Sequence, residues 1–393
     1  MTASDWLALV YQRGFRAPDP ERAASLLDEN PALATECPFA VGDLSALAAQ
    51  NGPFGMPPLV AVTFSSLIRL QRFAPALRRC AELLLDAGAD VNQTWTDPMF
   101  PGFRPSALYG AAGLNHDAGM TRLLLARGAN PNDGESLYHS LEGPDLACTR
   151  LLLDAGANPK GNNALCKVLD YDNLEGLRLL LELGADPNER RPLLHAIRRR
   201  RSAEHVRELL KAGTDPEGAY RLAMTLGLAE VAALLPAEAL TDAEAFIAAC
   251  ARVDRAEATA RQGALQFLEP GQLRFLPDLA EAGCSDAVRL MVELGWPVDT
   301  PGGDWKASAL NLAVFRGDAE LARFLLSHGA DWRARHGYGD NAAGTLSFAS
   351  RNRPGPGWVA CARVLIEGGM PLPDAAEYEF SPEVAAYFAG LRG

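Results

Sequence analysis

LLLDAGANPK, residues 151–160, is one of four closely similar stretches in this chain, and together they decide its fold. The others are LLLDAGADVN at 83–92, LLLARGANPN at 123–132 and LLLELGADPN at 179–188. The glycines of the last three, Gly128, Gly156 and Gly184, follow one another at intervals of 28 residues. Looser copies contain Gly213, Gly295, Gly329 and Gly369. A fixed period in this range predicts stacked supersecondary units, each contacting mainly its neighbours.

Each copy has a simple physical interpretation. The Leu triplet falls in the last turns of a helix that must bury one apolar side, so we expect Leu152 and Leu180 to include core positions. The Gly that follows suits the left-handed conformation that often ends a helix. Nine residues after each central Gly another Leu marks the start of the next helix, which is shorter; these residues are Leu137, Leu165 and Leu193. The repeat therefore predicts pairs of helices and essentially no β-strand.

Two longer stretches resemble the ankyrin repeat. They are RPSALYGAAGLNHDAGMTRLLLARGANPN, Arg104 to Asn132, and SALNLAVFRGDAELARFLLSHGAD, Ser308 to Asp331. The resemblance extends over roughly 57–370 and implies an all-α ankyrin-repeat solenoid of stacked helix pairs with capping helices. The ankyrin period is about 33 residues. The central copies have 28, so the turn before each short helix, called the finger, is shortened.

The pattern divides the chain into five segments. We expect N-terminal capping helices in 1–56, a first repeat array in 57–236, an irregular helical junction in 237–271, a second array in 272–370 and a C-terminal capping helix in 371–393. The predicted helices of the N-terminal cap are Ser4 to Gln12 and Pro20 to Glu29. In the junction, a capping box at Thr241 to Glu244 precedes one long predicted helix, Ala245 to Gln262. In the last segment Ser381 is the predicted N-cap.

Composition narrows the possible classes of function. The 393 residues include 49 acidic and 37 basic side chains, a net charge of −12, which argues against a general role on nucleic acids or anionic membranes. We expect neither a secretion signal nor a membrane span. The seven cysteines are scattered and lack metal-ligand spacing, so we expect them to be small hydrophobic residues of the core. Free cysteines in turn predict a reducing cytoplasm. The Ala, Leu and Arg bias favours a bacterial source, and a monomer is expected.

Motifs for catalysis are missing from the sequence. There is no nucleophile elbow, zinc-protease helix, P-loop or EF-hand loop, so no catalytic residue, metal or cofactor is assigned. His139 and His195 occupy equivalent positions on the short helices of two copies. The resemblance would place them on the concave side of the stack, either as ordinary structural histidines or as part of a site.

A run of arginines is the first candidate for recognition. It consists of Arg190, Arg191, Arg198, Arg199, Arg200, Arg201 and Arg207. Arginine side chains favour bidentate contacts with carboxylates or phosphates, so one interpretation is a site for an acidic segment of a partner protein. The alternative is a solvated loop whose arginines pair with neighbours such as Asp170, Asp172 and Glu204.

A long finger between Asn92 and Ser106 is the second candidate. It carries Trp95, Met99, Phe100 and Phe103 among several prolines. Exposed aromatic side chains are common anchors at protein interfaces. The alternative is that they fold back over the preceding repeat.

Three classes of function follow. The favoured one is a non-enzymatic protein-protein interaction scaffold that binds another protein on the concave face. An enzyme with a site in the concave groove or between the arrays is the alternative, because residues distant in sequence can assemble a site without a local motif. Nucleic-acid binding through the Arg190 to Arg207 strip is the third, and the acidic composition disfavours it.

Overall fold

The protein is helical throughout the part that the computed structural model describes, which is residues 2–12, 17–43, 51–97, 100–353, 355 and 357–392. Within these ranges there is no β-strand, and two isolated antiparallel bridges join Thr94 to Ser106 and Gly302 to Ala307. The predicted all-α class is confirmed. The chain forms two compact units, Met1–Asp215 and Pro216–Gly393.

The first unit is built from helix pairs stacked in two layers. Its helices are α1 (Ala3–Val10), α2 (Pro20–Glu29), α3 (Ala32–Glu36), α4 (Pro38–Val41), α5 (Pro58–Phe64), α6 (Ala74–Asp86), α7 (Ala107–Tyr109), α8 (Ala118–Ala126), α9 (Ser136–Ser140), α10 (Ala147–Asp154), α11 (Ala164–Asp170), α12 (Leu174–Glu182), α13 (Pro192–Arg198) and α14 (Ala203–Lys211). A π-helical turn, Gly110–Leu114, extends α7. From α7 onward the odd-numbered helices of this unit stack on one another, and the even-numbered helices form the second layer. We call the short helices of the odd-numbered layer first helices and the helices of the even-numbered layer, which end in the motif, second helices.

The LLLxxG motif ends each second helix as predicted. In the copy at 151–160, Leu152 is fully buried, and α10 ends at Asp154. Gly156 has a φ of +91°, and the amide of Ala157 donates to the carbonyl of Leu152 at 2.9 Å. This closing turn needs the left-handed conformation that glycine adopts without a Cβ clash. Leu180 is also fully buried, so both predicted core positions are confirmed.

Asparagine side chains link successive turns. The residue four positions after the motif glycine is often Asn, and its side-chain oxygen accepts a hydrogen bond from the backbone of the next copy. The three links of this kind in the first unit run from Asn130 N to Asn92 Oδ1 at 2.8 Å, from Asn158 N to Asn132 Oδ1 at 2.7 Å and from Asp215 N to Asn188 Oδ1 at 2.7 Å. The motif therefore also fixes the register between neighbouring repeats.

The N-terminal helices close one end of the first unit. Trp6 is fully buried on α1, and its indole Nε1 donates to the carbonyl of Ala23 on α2 at 2.9 Å. The hydroxyl of Tyr11 donates to the carbonyl of Ala61 on α5 at 3.0 Å. Both helices predicted in this segment are present, as α1 and α2, while the short helices α3 and α4 were not predicted.

The second unit continues the same construction. Its helices are α15 (Ala219–Thr225), α16 (Ala229–Ala232), α17 (Asp242–Ala251), α18 (Arg255–Ala260), α19 (Pro270–Leu273), α20 (Phe275–Glu281), α21 (Ser285–Glu293), α22 (Ala309–Arg316), α23 (Ala319–Ser327), α24 (Ala342–Asn352), α25 (Trp358–Glu367) and α26 (Pro382–Arg392). The helices α20, α22 and α24 stack as first helices, and α21, α23 and α25 stack as second helices.

One predicted helix is wrong. The single helix expected at Ala245 to Gln262 is two helices, α17 and α18, with a turn between them. In that turn Val253 has a φ of +58°, and the Asp254 side chain accepts a hydrogen bond from the Glu257 amide at 3.1 Å, which caps α18. The capping box at Thr241 and Glu244 is present as predicted. The break allows α18 to pack back against α17, as in the other helix pairs.

Three cysteines occupy the same repeat position and are buried, as predicted. They are Cys80, Cys148 and Cys361. Burial raises the pKa of their thiols to about 11, about 11 and about 12, respectively. In the described part of the chain, no helix combines the length and the apolar character needed to cross a membrane.

A candidate protein-binding surface

The first helices of the central repeats present a row of charged side chains. Positions eleven and fourteen after the motif glycine hold His139 and Glu142 in one copy, Lys167 and Asp170 in the next, and His195 and Arg198 in the third. Residues three apart along a helix lie on the same side. We call these six residues the charge ladder.

Two contacts of the charge ladder join neighbouring repeats in the same register. Lys167 Nζ lies 2.5 Å from Glu142 Oε1, and His195 Nε2 lies 2.8 Å from Asp170 Oδ1. In both cases the basic residue at position eleven meets the acidic residue at position fourteen of the preceding copy. His139 contacts Glu142 within its own repeat, with 2.9 Å between Nδ1 and Oε1. The two central histidines are therefore engaged with carboxylates.

Within the charge ladder, Glu142 is the residue whose pKa is shifted far from its ordinary value. Burial acts to raise its pKa, but hydrogen bonds from His139 and Lys167 outweigh that effect and lower the pKa to about 2. The Lys167 ammonium also lies 4.5 Å from the Tyr138 ring centre and 5.3 Å from that of Tyr171. Cation–π contacts of this kind add to the attraction of the carboxylate. The interior of the charge ladder is thus charge-compensated.

The arginine run continues the charge ladder with the opposite sign. Arg198, the last residue of α13, is exposed and occupies the position that Glu142 and Asp170 occupy in the preceding copies. Arg190 and Arg191 are exposed just before α13, with φ values of +58° and +54°. Neither Arg190 nor Arg198 forms an ion pair with any described residue.

Two other arginines are tied to the preceding repeat. Arg199 Nε lies 2.7 Å from Asp170 Oδ1, and Arg201 Nη1 lies 3.1 Å from Asp172 Oδ1. Arginine pairing with Asp170 and Asp172 is what the alternative interpretation, a solvated loop with ion pairs to its neighbours, predicted. Glu204, in contrast, pairs with Arg178 on α12 at 2.6 Å.

The remaining arginines differ in their placement. Arg200 is half-buried, with a φ of +54°. Arg207 is exposed on α14, in the layer of second helices, whereas Arg198 ends a first helix. The seven arginines therefore do not form one uniform strip.

The long finger folds back on the core. The amide of Trp95 donates to the carbonyl of Pro105 at 3.0 Å, and only 9% of Trp95 is exposed, so its indole is a core group and not an exposed anchor. Phe103 packs edge-on against Tyr109, with 5.5 Å between ring centres, and Tyr109 contacts His139 of the charge ladder at 5.2 Å. Phe100 is 36% exposed. Met99 lies outside the described residues.

The described residues contain no group of three or more His, Cys, Asp or Glu side chains placed to hold a metal ion. Their grooves are open. The one beside the charge ladder has a volume of about 690 Å³ and is lined by residues that include Asp145, Arg150, Tyr171 and Glu175.

Comparison with known proteins identifies the repeat. Residues 306–337, which include α22 and α23, match the model of the ankyrin repeat. This match identifies one ankyrin repeat, in the second unit. Among solved structures it is similar to the ankyrin repeat domain of Bcl-3, a member of the IκB protein family, at 19% identity and a TM-score of 0.27, over 71% of this chain and 92% of that one. A comparison with curated proteins finds no match.

The spacing of the repeats explains why two residues of the charge ladder were not predicted from the sequence. Glu142 and Lys167 lie at fixed distances from the motif glycines, but only His139 and His195 were singled out at these positions of the short helices. Aligning positions eleven and fourteen of all the central copies gives the alternation of charge directly. Stacked repeats present extended surfaces that can bind a partner.

Proposed function

We propose that this chain is a non-enzymatic protein-protein interaction scaffold, and that Arg190, Arg191 and Arg198 receive an acidic segment of a partner protein. One observation carries the proposal. Arg198 takes the place of an acid in the charge ladder and forms no ion pair with the described residues. A carboxylate supplied by a partner would continue the pairing that Glu142 and Asp170 make in the preceding repeats.

The chemistry of the arginines supports an acidic partner. A guanidinium presents paired donors that match a carboxylate, and such charge-assisted hydrogen bonds are stronger than neutral ones. The chain as a whole has a net charge of −12, so an acidic partner would be repelled from most of its surface. A local group of exposed arginines would therefore select both the partner and the place of contact.

The ion-paired arginines have a different role in this proposal. Arg199 and Arg201 are held by Asp170 and Asp172, so they fix the loop that follows α13. Phe100 extends the surface on the side of the long finger, which contacts the charge ladder through Phe103 and Tyr109.

The test is affinity capture from a lysate of the source cell with three full-length baits. They are the parent, the double variant Arg190→Glu and Arg198→Glu, and the control Arg122→Glu. Arg122 is an exposed arginine on the second helix α8, so its replacement changes the charge at a site away from the proposed one. A partner is a protein that the parent and the control capture and the double variant loses.

The captured partner should contain an acidic segment, and a peptide of that segment should bind the parent. Charge-assisted contacts contribute about 1.5–3 kcal/mol each. Loss of two should weaken binding by at least about 100-fold. Added salt should weaken the parent complex as well. If the double variant binds the partner as tightly as the parent does, or if the control loses it equally, the arginines are not the site.

A further inference from the structure

Five aromatic rings form a continuous row in the second unit. The ring centres of Tyr338 and His336 are 6.0 Å apart, and those of His336 and Trp305 are 4.9 Å apart. Trp305 lies 5.2 Å from Phe315, which stacks on Phe348 at 6.5 Å with an interplanar angle of 18°. We call these five residues the aromatic row. It joins two fingers to the first helices α22 and α24.

Both ends of the aromatic row are exposed. Tyr338 is 84% exposed and Phe348 is 56% exposed, and the three rings between them are half-buried. A single exposed aromatic residue is common on a protein surface, but a contiguous row of them marks an interaction site. Aromatic residues are also the most frequent energetic anchors of interfaces.

The backbone holds the aromatic row in place. The amide of Gly337 donates to the carbonyl of Trp305 at 2.7 Å, which ties one finger to the other. The amide of His336 donates to the carbonyl of Asp340 at 2.9 Å. The Arg353 guanidinium lies 4.3 Å from the Phe315 ring centre. A partner would therefore meet rings that are already ordered, which lowers the entropic cost of binding.

A groove beside Phe348 gives the surface its charge. Its volume is about 460 Å³, and its charged lining consists of Asp340, Glu377, Glu379 and Arg351. Arg351 Nη1 lies 2.6 Å from Glu379 Oε2, and the Tyr378 hydroxyl donates to Asp340 Oδ1 at 2.9 Å. Three carboxylates face one guanidinium, so the groove stays negative after Arg351 has paired.

The arginines of the neighbouring finger do not reverse this sign. The Arg333 guanidinium lies 4.5 Å from the Trp332 ring centre, and Arg335 Nη1 donates to the carbonyl of Gly339 at 2.8 Å. Both side chains are therefore engaged within their own finger.

We propose that the aromatic row and its groove bind a basic peptide segment of a partner protein. An aromatic or large aliphatic side chain of the segment packs on Phe348, and a neighbouring Lys or Arg enters the groove toward Asp340, Glu377 and Glu379. Carboxylates favour a cation in this position, and the exposed ring supplies the apolar contact. This surface selects the opposite charge from that proposed for the arginines of the first unit, so it is a second and independent site.

The experiment selects peptides from a random dodecapeptide display library on the full-length chain, with counter-selection on the double variant Tyr338→Ala and Phe348→Ala. Both side chains are largely exposed, and circular dichroism and thermal melting check that the variant folds like the parent. Peptides that remain should combine Lys or Arg with an aromatic or large aliphatic residue. A synthetic peptide of the consensus then serves as the probe in titrations.

The probe should bind the double variant at least about 30-fold more weakly than the parent, as expected for loss of interface anchors. The variant Glu377→Lys with Glu379→Lys should weaken binding by at least 10-fold, on the order of the loss of one charge pair. The control Phe267→Ala removes a ring that is 74% exposed and outside the aromatic row, and it should leave the affinity unchanged.

Four results would overturn the proposal. The first is a consensus that is acidic or lacks Lys and Arg. The second is a probe affinity that does not change in Glu377→Lys with Glu379→Lys, the variant that was not used in the selection. The third is an equal loss in Phe267→Ala. Binding of a 12-nucleotide single-stranded DNA that is lost in Tyr338→Ala with Phe348→Ala would also refute it, because bases can stack on such rings and the row would then be a nucleic-acid site.

Discussion

Replacing Glu142 by Gln should destabilise the protein in a manner that depends on pH. The Glu142 carboxylate accepts contacts from His139 and Lys167, and its pKa falls from the ordinary 4.5 to about 2 despite the opposing effect of burial. The folded state therefore binds this proton more weakly than the unfolded state does. Stability that comes from Glu142 is fully present above pH 4.5 and is lost as the pH falls toward 2.

The size of the effect follows from the same values. A fall from 4.5 to about 2 corresponds to an upper bound of about 3 kcal/mol. The side chain is still 26% exposed, and solvent screening reduces the contribution, so we expect Glu142→Gln to cost about 1–2 kcal/mol at pH 5.5. At pH 3 the unfolded state already holds most of the proton, and the cost should be less than half of that value.

Chemical denaturation of parent and variant at pH 5.5 and pH 3 measures this difference. Glu175→Gln is the matched control, because Glu175 also pairs with a base, Arg150 at 2.7 Å, but its side chain is 72% exposed. An exposed pair contributes little, so the control should change stability by less than about 0.5 kcal/mol at either pH. The reasoning is refuted if Glu142→Gln costs the same at both pH values or no more than the control.

Three further predictions concern the core, a repeat link and the thiols. Leu180→Ala should lower the free energy of unfolding by about 2–5 kcal/mol because it leaves a cavity; in denaturant titrations Leu183→Ala, at a position 51% exposed, should have an effect of less than about 0.5 kcal/mol. Burial raises the pKa of Asp299, although the hydrogen bond from the Asp331 amide opposes it, so the folded state loses stability as the pH rises above the ordinary value of 3.8. Asp299→Asn should therefore raise the free energy of unfolding at pH 7 and not at pH 3, by less than about 0.5 kcal/mol because the residue as a whole is exposed and the burial of its carboxyl is only partial; in denaturant titrations an equal change at both pH values would contradict this. Cys284 is half-buried and the other six cysteines are buried, so a thiol reagent at neutral pH should label Cys284 first in the native protein, and rapid labelling of several thiols would contradict the packing.

The sequence predicted those parts of the fold that depend on local backbone requirements. Gly156 had to follow the Leu triplet because the helix ends in a left-handed residue, and Leu152 had to face the core because of its place in the helix. Ser381 likewise caps the last helix, since the amide of Val384 donates to its hydroxyl at 3.5 Å. The break at Val253 was missed because the surrounding residues favour a helix, although Asp254, which caps α18, with Glu257 three residues later is a local signal for the start of a new helix. Packing of α18 against α17 overrides that preference.

The candidate site was predicted less completely, because its contacts depend on the register between repeats. The pairing of Lys167 with Glu142 requires two helices from different copies to lie side by side, and single-helix patterns do not contain that information. The same is true of Trp95, which looks exposed in a proline-rich finger and is buried once the finger folds back. The arginine run was found as a group of like charges, but its division into ion-paired and exposed members came only from the structure.

The asparagine links and the charge ladder both follow the 28-residue period of the central copies, so the chain could lose one whole copy in evolution without breaking either pattern. An in-frame deletion of residues 157–184 removes one 28-residue copy and joins Gly156 to Ala185, so the sequence across the junction still reads as the repeat motif. Asn132 would then face the turn that begins at Ala185, and Glu142 would face His195, again an acid opposite a base. Duplication of the same segment would extend the charge ladder by one step but would add no asparagine link, because the segment has Lys160 at the asparagine position. The number of repeats before the exposed arginines can therefore grow or shrink as a gene segment is copied or lost, while the surface at the end of the series keeps its chemistry.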